Sequence, residues 1–359
     1  FDEPSGSYQN IVDENTNLIP VKGYSLWASS SKASTFTFTG TPNNGNQSIN
    51  VTYTENGSSF KGANLVGNPY PSYIDWNDFD DSWGAIYYWD GVADDFVEWN
   101  NGQGSGSKYI PPMQAFFIIT DSDKTFTLTN EDRAHSGGGN YFKSDISSMH
   151  NIVLYTQNSN KDDELFIQFN DFASASFDKK YDAYKLVSTY EGNSQLYSIY
   201  DETNFSIDVR PFSNVIQLGF QNDVAGIYQI GVREFEGFSL IIEDTKTNWF
   251  HDLSKGPYEF IWDNSDSEKR FKLLHKAIGI SEEYVEEKAR IYIYDDRLII
   301  SSPSSLNNAK IRVFDMMGRL VFEDDESDKM EYALNLSGGA YIVAINSEEL
   351  NQNEKIIIQ

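Results

Sequence analysis

The chain contains no cysteine and only 4 histidines in 359 residues. Without thiols there is no disulfide framework, no thiolate nucleophile and no cysteine-ligated metal. The histidines, His135, His150, His251 and His275, stand apart with no His-x-x-x-His or Glu-x-x-His spacing, so a zinc site is not expected. No run of about 18 apolar residues occurs, which leaves no segment to span a membrane as a helix. Basic residues are scarce, 27 Lys and Arg against 54 Asp and Glu, for a formal charge of −27. Such a field repels phosphate backbones and anionic lipid, and excludes nucleic acid as a natural partner. No Gly-x-Ser-x-Gly elbow and no Gly-x-x-x-x-Gly-Lys loop is present, so neither a serine hydrolase nor a phosphate-cradling cofactor site is indicated. The first residue is Phe1 rather than Met, and the chain reads as a piece of a longer protein.

What the chain has is aromatics, 15% of residues, within an apolar content of 39%. That suffices for packed cores, and a length of 359 suits two or three of them. Short alternating runs recur at 10- to 20-residue spacing between Gly-, Asn- and Asp-rich turns, as strands do. The fold class predicted is all-β: tandem antiparallel β-sandwich domains with a small immunoglobulin-like sandwich at the C-terminus. An aromatic-rich module is expected over 1–142, with strands at 23–28, 34–39, 48–54, 85–89, 115–119 and 124–129 and a turn at Asn56-Gly57. Ser136-Gly-Gly-Gly-Asn140 reads as a hinge into a second sandwich over 143–276, with strands at 151–155, 164–169, 215–220, 226–232, 239–243 and 270–274. A linker over 277–289 includes the short helix-like patch Ser281–Lys288.

Residues 290–359 form seven strand-like runs, at 290–294, 297–300, 310–314, 319–322, 334–336, 340–345 and 355–358. Asp295-Asp296 and Asp315-Met-Met-Gly318 turn between them, and Gly318 is placed for a positive φ. The order of Asp315-Met-Met-Gly-Arg319, Ser337-Gly-Gly-Ala-Tyr-Ile-Val343 and a closing Lys355-Ile-Ile-Ile resembles the C-terminal sorting domain of type IX secretion in Bacteroidota. Asp315, Gly318, Arg319, Gly339, Tyr341 and Lys355 carry the resemblance; of the Pro-Asn-Pro-like segment frequent in that family, only Pro303 remains. The resemblance implies an export address, with the outer-membrane type IX machinery as partner and a secreted, cell-surface location. Upstream, Leu65-Val-Gly-Asn-Pro-Tyr-Pro71, Ile74-Asp-Trp76, Tyr88-Trp89 and Tyr109-Ile-Pro-Pro-Met-Gln-Ala-Phe-Phe117 resemble a non-catalytic β-rich module that precedes such sorting domains.

Paired carboxylates would suit a glycosidase, and Asp75, Asp90, Glu98 and Glu164 are candidates, but 54 acids guarantee chance pairs and no motif selects two. The acidic loops at 75–81, 90–95 and 161–164 lack the EF-hand alternation and read as solvated surface, with no metal or cofactor expected. Trp76, Trp83, Tyr87, Tyr88, Trp89 and Trp99 crowd together among Asp and Asn. They read either as core packing or as a platform for sugar rings, with Trp83, Tyr88, Trp89 and Trp99 as the candidate carbohydrate contacts. Burial is expected for most of them. The reading is therefore a non-catalytic part of a secreted surface protein, not an enzyme, contacting an extracellular protein or glycan. The alternative is a carbohydrate-binding accessory region of a polysaccharide-degrading enzyme whose catalytic domain lies upstream.

Overall fold

The computed structural model describes residues 1–13, 15–26, 39–55, 60–79, 81–135, 151–158, 161–235, 238–277, 289–294, 297–301, 309–327, 331–334, 336–347 and 350–358. The expected strand at 34–39, the Asn56-Gly57 turn, the hinge at 136–140, the patch at 281–288, the Asp295-Asp296 turn and Pro303 lie wholly or largely outside these residues. Antiparallel sheets dominate, and helix among the described residues is confined to the single turns Trp76–Asp78, Asp81–Trp83 and Leu253–Lys255. The chain divides into two compact units: Phe1–Tyr228 with Arg233–Glu236 and Ile261–Phe271, and Gln229–Val232 with Gly237–Phe260 and Lys272–Gln359.

The first unit opens with nine short strands: β1 (Gln47–Val51), β2 (Ala63–Gly67), β3 (Tyr73–Asp75), β4 (Ile86–Asp90), β5 (Asp95–Trp99), β6 (Tyr109–Ile110), β7 (Ala115–Ile119), β8 (Lys124–Leu128) and β9 (Arg133–Ala134). They make the sheets β1-β8, β2-β7-β4-β5 and β6-β3-β9. Side chains in β7 alternate as strand geometry requires: Phe116 and Ile118 enter a core with Val66, Ile74, Ile110, Phe126 and Leu128. Phe117 and Ile119 face the other way, onto Tyr87, Ala183, Ile207 and Val209. Both faces of this sheet are covered, which explains a run as apolar as Ala-Phe-Phe-Ile-Ile. Gly23–Leu26, inside an expected strand, is irregular; only Lys22 bridges to Val66 there.

Seven strands follow: β10 (Asn151–Asn158), β11 (Lys161–Phe169), β12 (Ala183–Tyr184), β13 (Gln195–Tyr200), β14 (Thr203–Arg210), β15 (Val215–Gln221) and β16 (Gly226–Glu234). Within the first unit the order is β15-β13-β14-β11-β10. β11 and β14 are parallel, with Phe166 opposite Ile207, while β10–β11, β13–β14 and β13–β15 are antiparallel. The sequence reading passes over β13 and β14, two interior strands of this order.

The second unit contains the hairpin β17 (Phe238–Asp244) with β18 (Trp249–Asp252); β19 (Tyr258–Trp262) ends, and β20 (Phe271–Ala277) begins, in the Ile261–Phe271 stretch that belongs to the first unit. A seven-strand sandwich follows: β21 (Arg290–Tyr294), β22 (Arg297–Ser301), β23 (Ala309–Asp315), β24 (Leu320–Ser327), β25 (Glu331–Ala333), β26 (Gly339–Asn346) and β27 (Asn351–Ile358). Its sheets, β21-β22-β25 and β24-β23-β26-β27, close on Leu298, Ile300, Ile311, Val313, Tyr341, Val343, Ile345, Ile356 and Ile358. The strand expected at 334–336 lies instead at Glu331–Ala333; Leu334 and Leu336 reach the core from the segment after it.

Candidate functional site

The sorting-type motif is a connected structure. Asp315 ends β23, and its Oδ1 accepts the backbone N–H of Met317 at 2.9 Å and of Arg319 at 3.0 Å. Its Oδ2 accepts Arg319 Nε at 2.7 Å. The backbone donor of Arg319 and the guanidinium hold the Asp315 carboxyl below its usual range. Gly318 completes the turn at φ +77, which a Cβ resists. Asp315 stands opposite Tyr341 in the β23–β26 register, and the Tyr341 hydroxyl donates to Ser337 O at 2.7 Å. Tyr341 is buried, with its ring 3.7 Å from the Cβ position of Gly339. Lys355 sits on the outer strand β27 opposite Ile342 and is exposed. Asp315, Gly318 and Arg319 thus form one turn, exposed at Gly318 and Arg319, Tyr341 lies across from Asp315 with Gly339 beside its ring, and Lys355 stands apart. Met316 and Met317 flank the turn at 59% and 83% exposure.

The aromatic candidates split. Trp83 and Tyr88 are core residues, 8% and 9% exposed, packed with Phe126 and Phe116. Burial raises the Tyr88 phenol pKa, and its hydroxyl is used internally, donating to Ser107 O at 2.8 Å. Trp99 is half-buried and donates through Nε1 to Asn77 Oδ1 at 2.9 Å. Trp89 differs: it is 38% exposed, 5.1 Å from Phe96 and 5.3 Å from Tyr190, with the Tyr190 ring tilted by 35°. Tyr190 in turn lines an open cleft of about 350 Å³ with Asn193, Asn222, Asn264, Asp266, Glu268 and Trp262 among its walls. Asn193 is buried, and its Oδ1 has no hydrogen-bond partner. Sequence reasoning missed this cleft, because its wall comes from segments some 70 residues apart that carry no local motif.

The four carboxylates weighed for hydrolysis are dispersed into other roles. Asp75 pairs with Lys108 at 2.7 Å, Asp90 accepts Val92 N at 2.7 Å, and Glu164 pairs with Arg233 at 2.5 Å. Glu98 is buried, its pKa pushed up to about 8 by loss of solvent, opposed by Lys185 and reinforced by Asp163 and Asp95. Asp95, also buried, is raised to about 6, and its Oδ2 accepts Gln195 Nε2 at 2.7 Å. Lys185 Nζ contacts Asp163 at 2.6 Å. The acidic run read as a surface loop therefore sends one residue inward. Asp163 shares strand parity with Leu165, Ile167 and Phe169, and that period of two was the available signal.

Comparison with known proteins gives matches along most of the chain. Residues 2–93 and 91–275 match the family described as Domain of unknown function (DUF8693), and residues 294–359 match the Secretion system C-terminal sorting domain. The Minor fimbrium subunit Mfa5 of Porphyromonas gingivalis is 23% identical over 389 residues, covering 96% of this chain and 31% of that protein. The chain spans less than a third of that relative's length. No solved structure matches it. The chain belongs to the family described as Domain of unknown function (DUF8693), and with its sorting domain it is a Bacteroidota secreted, cell-surface protein of β-rich modules.

Proposed function

We propose that these residues are the non-catalytic, C-terminal region of a larger surface protein. In this reading 1–142 and 143–276 are contact modules, 277–289 a linker, and 290–359 the address read by the type IX machinery. The observation that carries it is the exposed Asp315–Arg319 turn on a sandwich matched as a sorting domain, with Met316 and Met317 beside a guanidinium 76% exposed. Rigid turn geometry and an apolar–cationic surface suit recognition by another protein. Asp315, Gly318, Arg319, Gly339, Tyr341 and Lys355 are the residues assigned to that address. The relative is a fimbrium subunit, and display in a surface assembly is the role carried to this chain. Fusing 286–359 to a signal-peptide-bearing reporter in a type IX-competent bacterium should deliver the reporter to the surface. Equal delivery without residues 338–359 would overturn the reading.

A second reading draws on the cleft. A ring pair, Trp89 and Tyr190, beside amide and carboxylate groups is a combination that holds sugar rings. Trp83, Tyr88 and Trp99 take no part in this version. Calorimetric titration with soluble glycans would show micromolar to millimolar binding that Tyr190→Ala removes; no heat with any of them sinks it.

A further inference from the structure

Lys185 Nζ lies 2.6 and 2.7 Å from the two oxygens of Asp163, and the side chains are only 2% and 8% exposed. Other lysine–carboxylate pairs among the described residues are open to water, such as Lys108–Asp75 at 31% and 11% and Lys272–Glu243 at 35% and 20%. Two more buried carboxyl groups, Asp95 and Glu98, act on the same ammonium. An enclosed ion pair is costly to desolvate, and surplus acid around it adds to that cost. Asp163 is also held in place: its Oδ1 accepts Glu164 N at 2.9 Å and its Oδ2 accepts Leu196 N at 2.6 Å.

We propose that Lys185 and Asp163 condense into an intramolecular isopeptide bond, Nζ to Cγ, with Glu98 and Asp95 as the proton carriers. Nζ gives up a proton to a neighbouring carboxylate, and its lone pair then attacks Cγ. The two backbone N–H groups stabilise the oxygen charge that develops in the tetrahedral adduct. Asp95 passes on the proton taken from Nζ and Glu98, protonated at neutral pH, gives its own, so that the departing oxygen leaves as water; Glu98 recovers a proton from the second N–H lost by Nζ. One C–N bond forms, one C–O bond breaks, and ammonium plus carboxylate become amide plus one water. No oxidant or cofactor is consumed. The product removes two buried charges and ties β11 to the segment after β12 across 22 residues, shortening the unfolded chain's freedom as a disulfide does. A chain without cysteine has no disulfide route to that constraint.

Intact mass spectrometry of the denatured full chain tests this. A mass one water below that of the sequence is expected, and digestion should yield a branched peptide joining residues 163 and 185. Lys185→Arg should restore the full sequence mass, and Glu98→Gln should leave most molecules unlinked. Full mass for the natural chain, with 163 and 185 on separate peptides, overturns the proposal; so does a deficit that persists in Lys185→Arg. Complete linkage in Glu98→Gln overturns its assignment as the acid. If Lys185→Arg does not fold, the peptide map of the natural chain decides alone.

Discussion

Gly318 holds a φ of +77 in open space, so the strain a side chain would meet there is backbone strain alone. Gly318→Ala should therefore cost about 1 kcal/mol. Asp315→Ala removes the acceptor of three donors and should also lower the urea midpoint of the sandwich. An unchanged midpoint in both variants would mean that the turn is not held as described. The aromatic residues give a sharper contrast. Trp83→Ala empties a packed core position and should cost about 3–5 kcal/mol, whereas Trp89→Ala, at 38% exposure, should cost much less. Chemical denaturation of the two variants side by side checks this; equal losses would refute the assignment. Residue identity showed the turn at Asp315–Arg319 in advance, because its chemistry is local. It did not show which Trp faces solvent, because neighbours distant in sequence decide that.

At the scale of elements, legibility followed the polar face. β14 reads Thr-Asn-Phe-Ser-Ile-Asp-Val-Arg, and nearly all of it is buried. Phe205, Ile207 and Val209 take one side; Ser206, Asp208 and Arg210 are buried on the other. Asp208 there joins the Arg210 guanidinium and the Ser198 hydroxyl. A polar face satisfied inside the protein looks in sequence like a loop. The sequence pattern shows only 355–358 of β27 for the opposite reason: Asn351-Gln-Asn-Glu354 is mostly exposed on an outer strand and lacks apolar alternation. The terminal sandwich was legible because its strands alternate cleanly about one core. Seven strands closing on their own apolar residues predict that 286–359 expressed alone gives a β-type circular dichroism spectrum and a cooperative melt, close to the lower size limit for an unassisted core. A coil spectrum with no transition would show that the core is insufficient by itself.

For the whole molecule, charge sets the response to pH. Asp95, Asp182 and Glu98 are raised to about 6, about 7 and about 8 from the ordinary carboxylate range, each chiefly by burial. A raised acid pKa means that the folded chain keeps a proton the unfolded chain releases. Stability from these groups is complete below the unfolded values and declines as pH rises toward the folded ones. Depressed carboxyls such as Asp315 and Glu323 act oppositely, but they sit at the surface, Asp315 partly covered, and their contribution is lost only on acidification below the ordinary carboxylate range. Repulsion among 54 acids against 27 bases grows over the same interval and points the same way. The melting temperature should therefore be highest near pH 5 and fall toward pH 8. Added salt screens the exposed repulsion but reaches buried groups poorly, so high salt at pH 8 should restore only part of the loss. Asp182→Asn should narrow its deficit against the natural chain as pH rises, since the amide has no proton to lose. Differential scanning calorimetry from pH 5 to 8 in low and high salt checks all three outcomes. A melting temperature that rises over that range would mean that these buried carboxyls are ionised in the fold and held by partners strong enough to outweigh their burial.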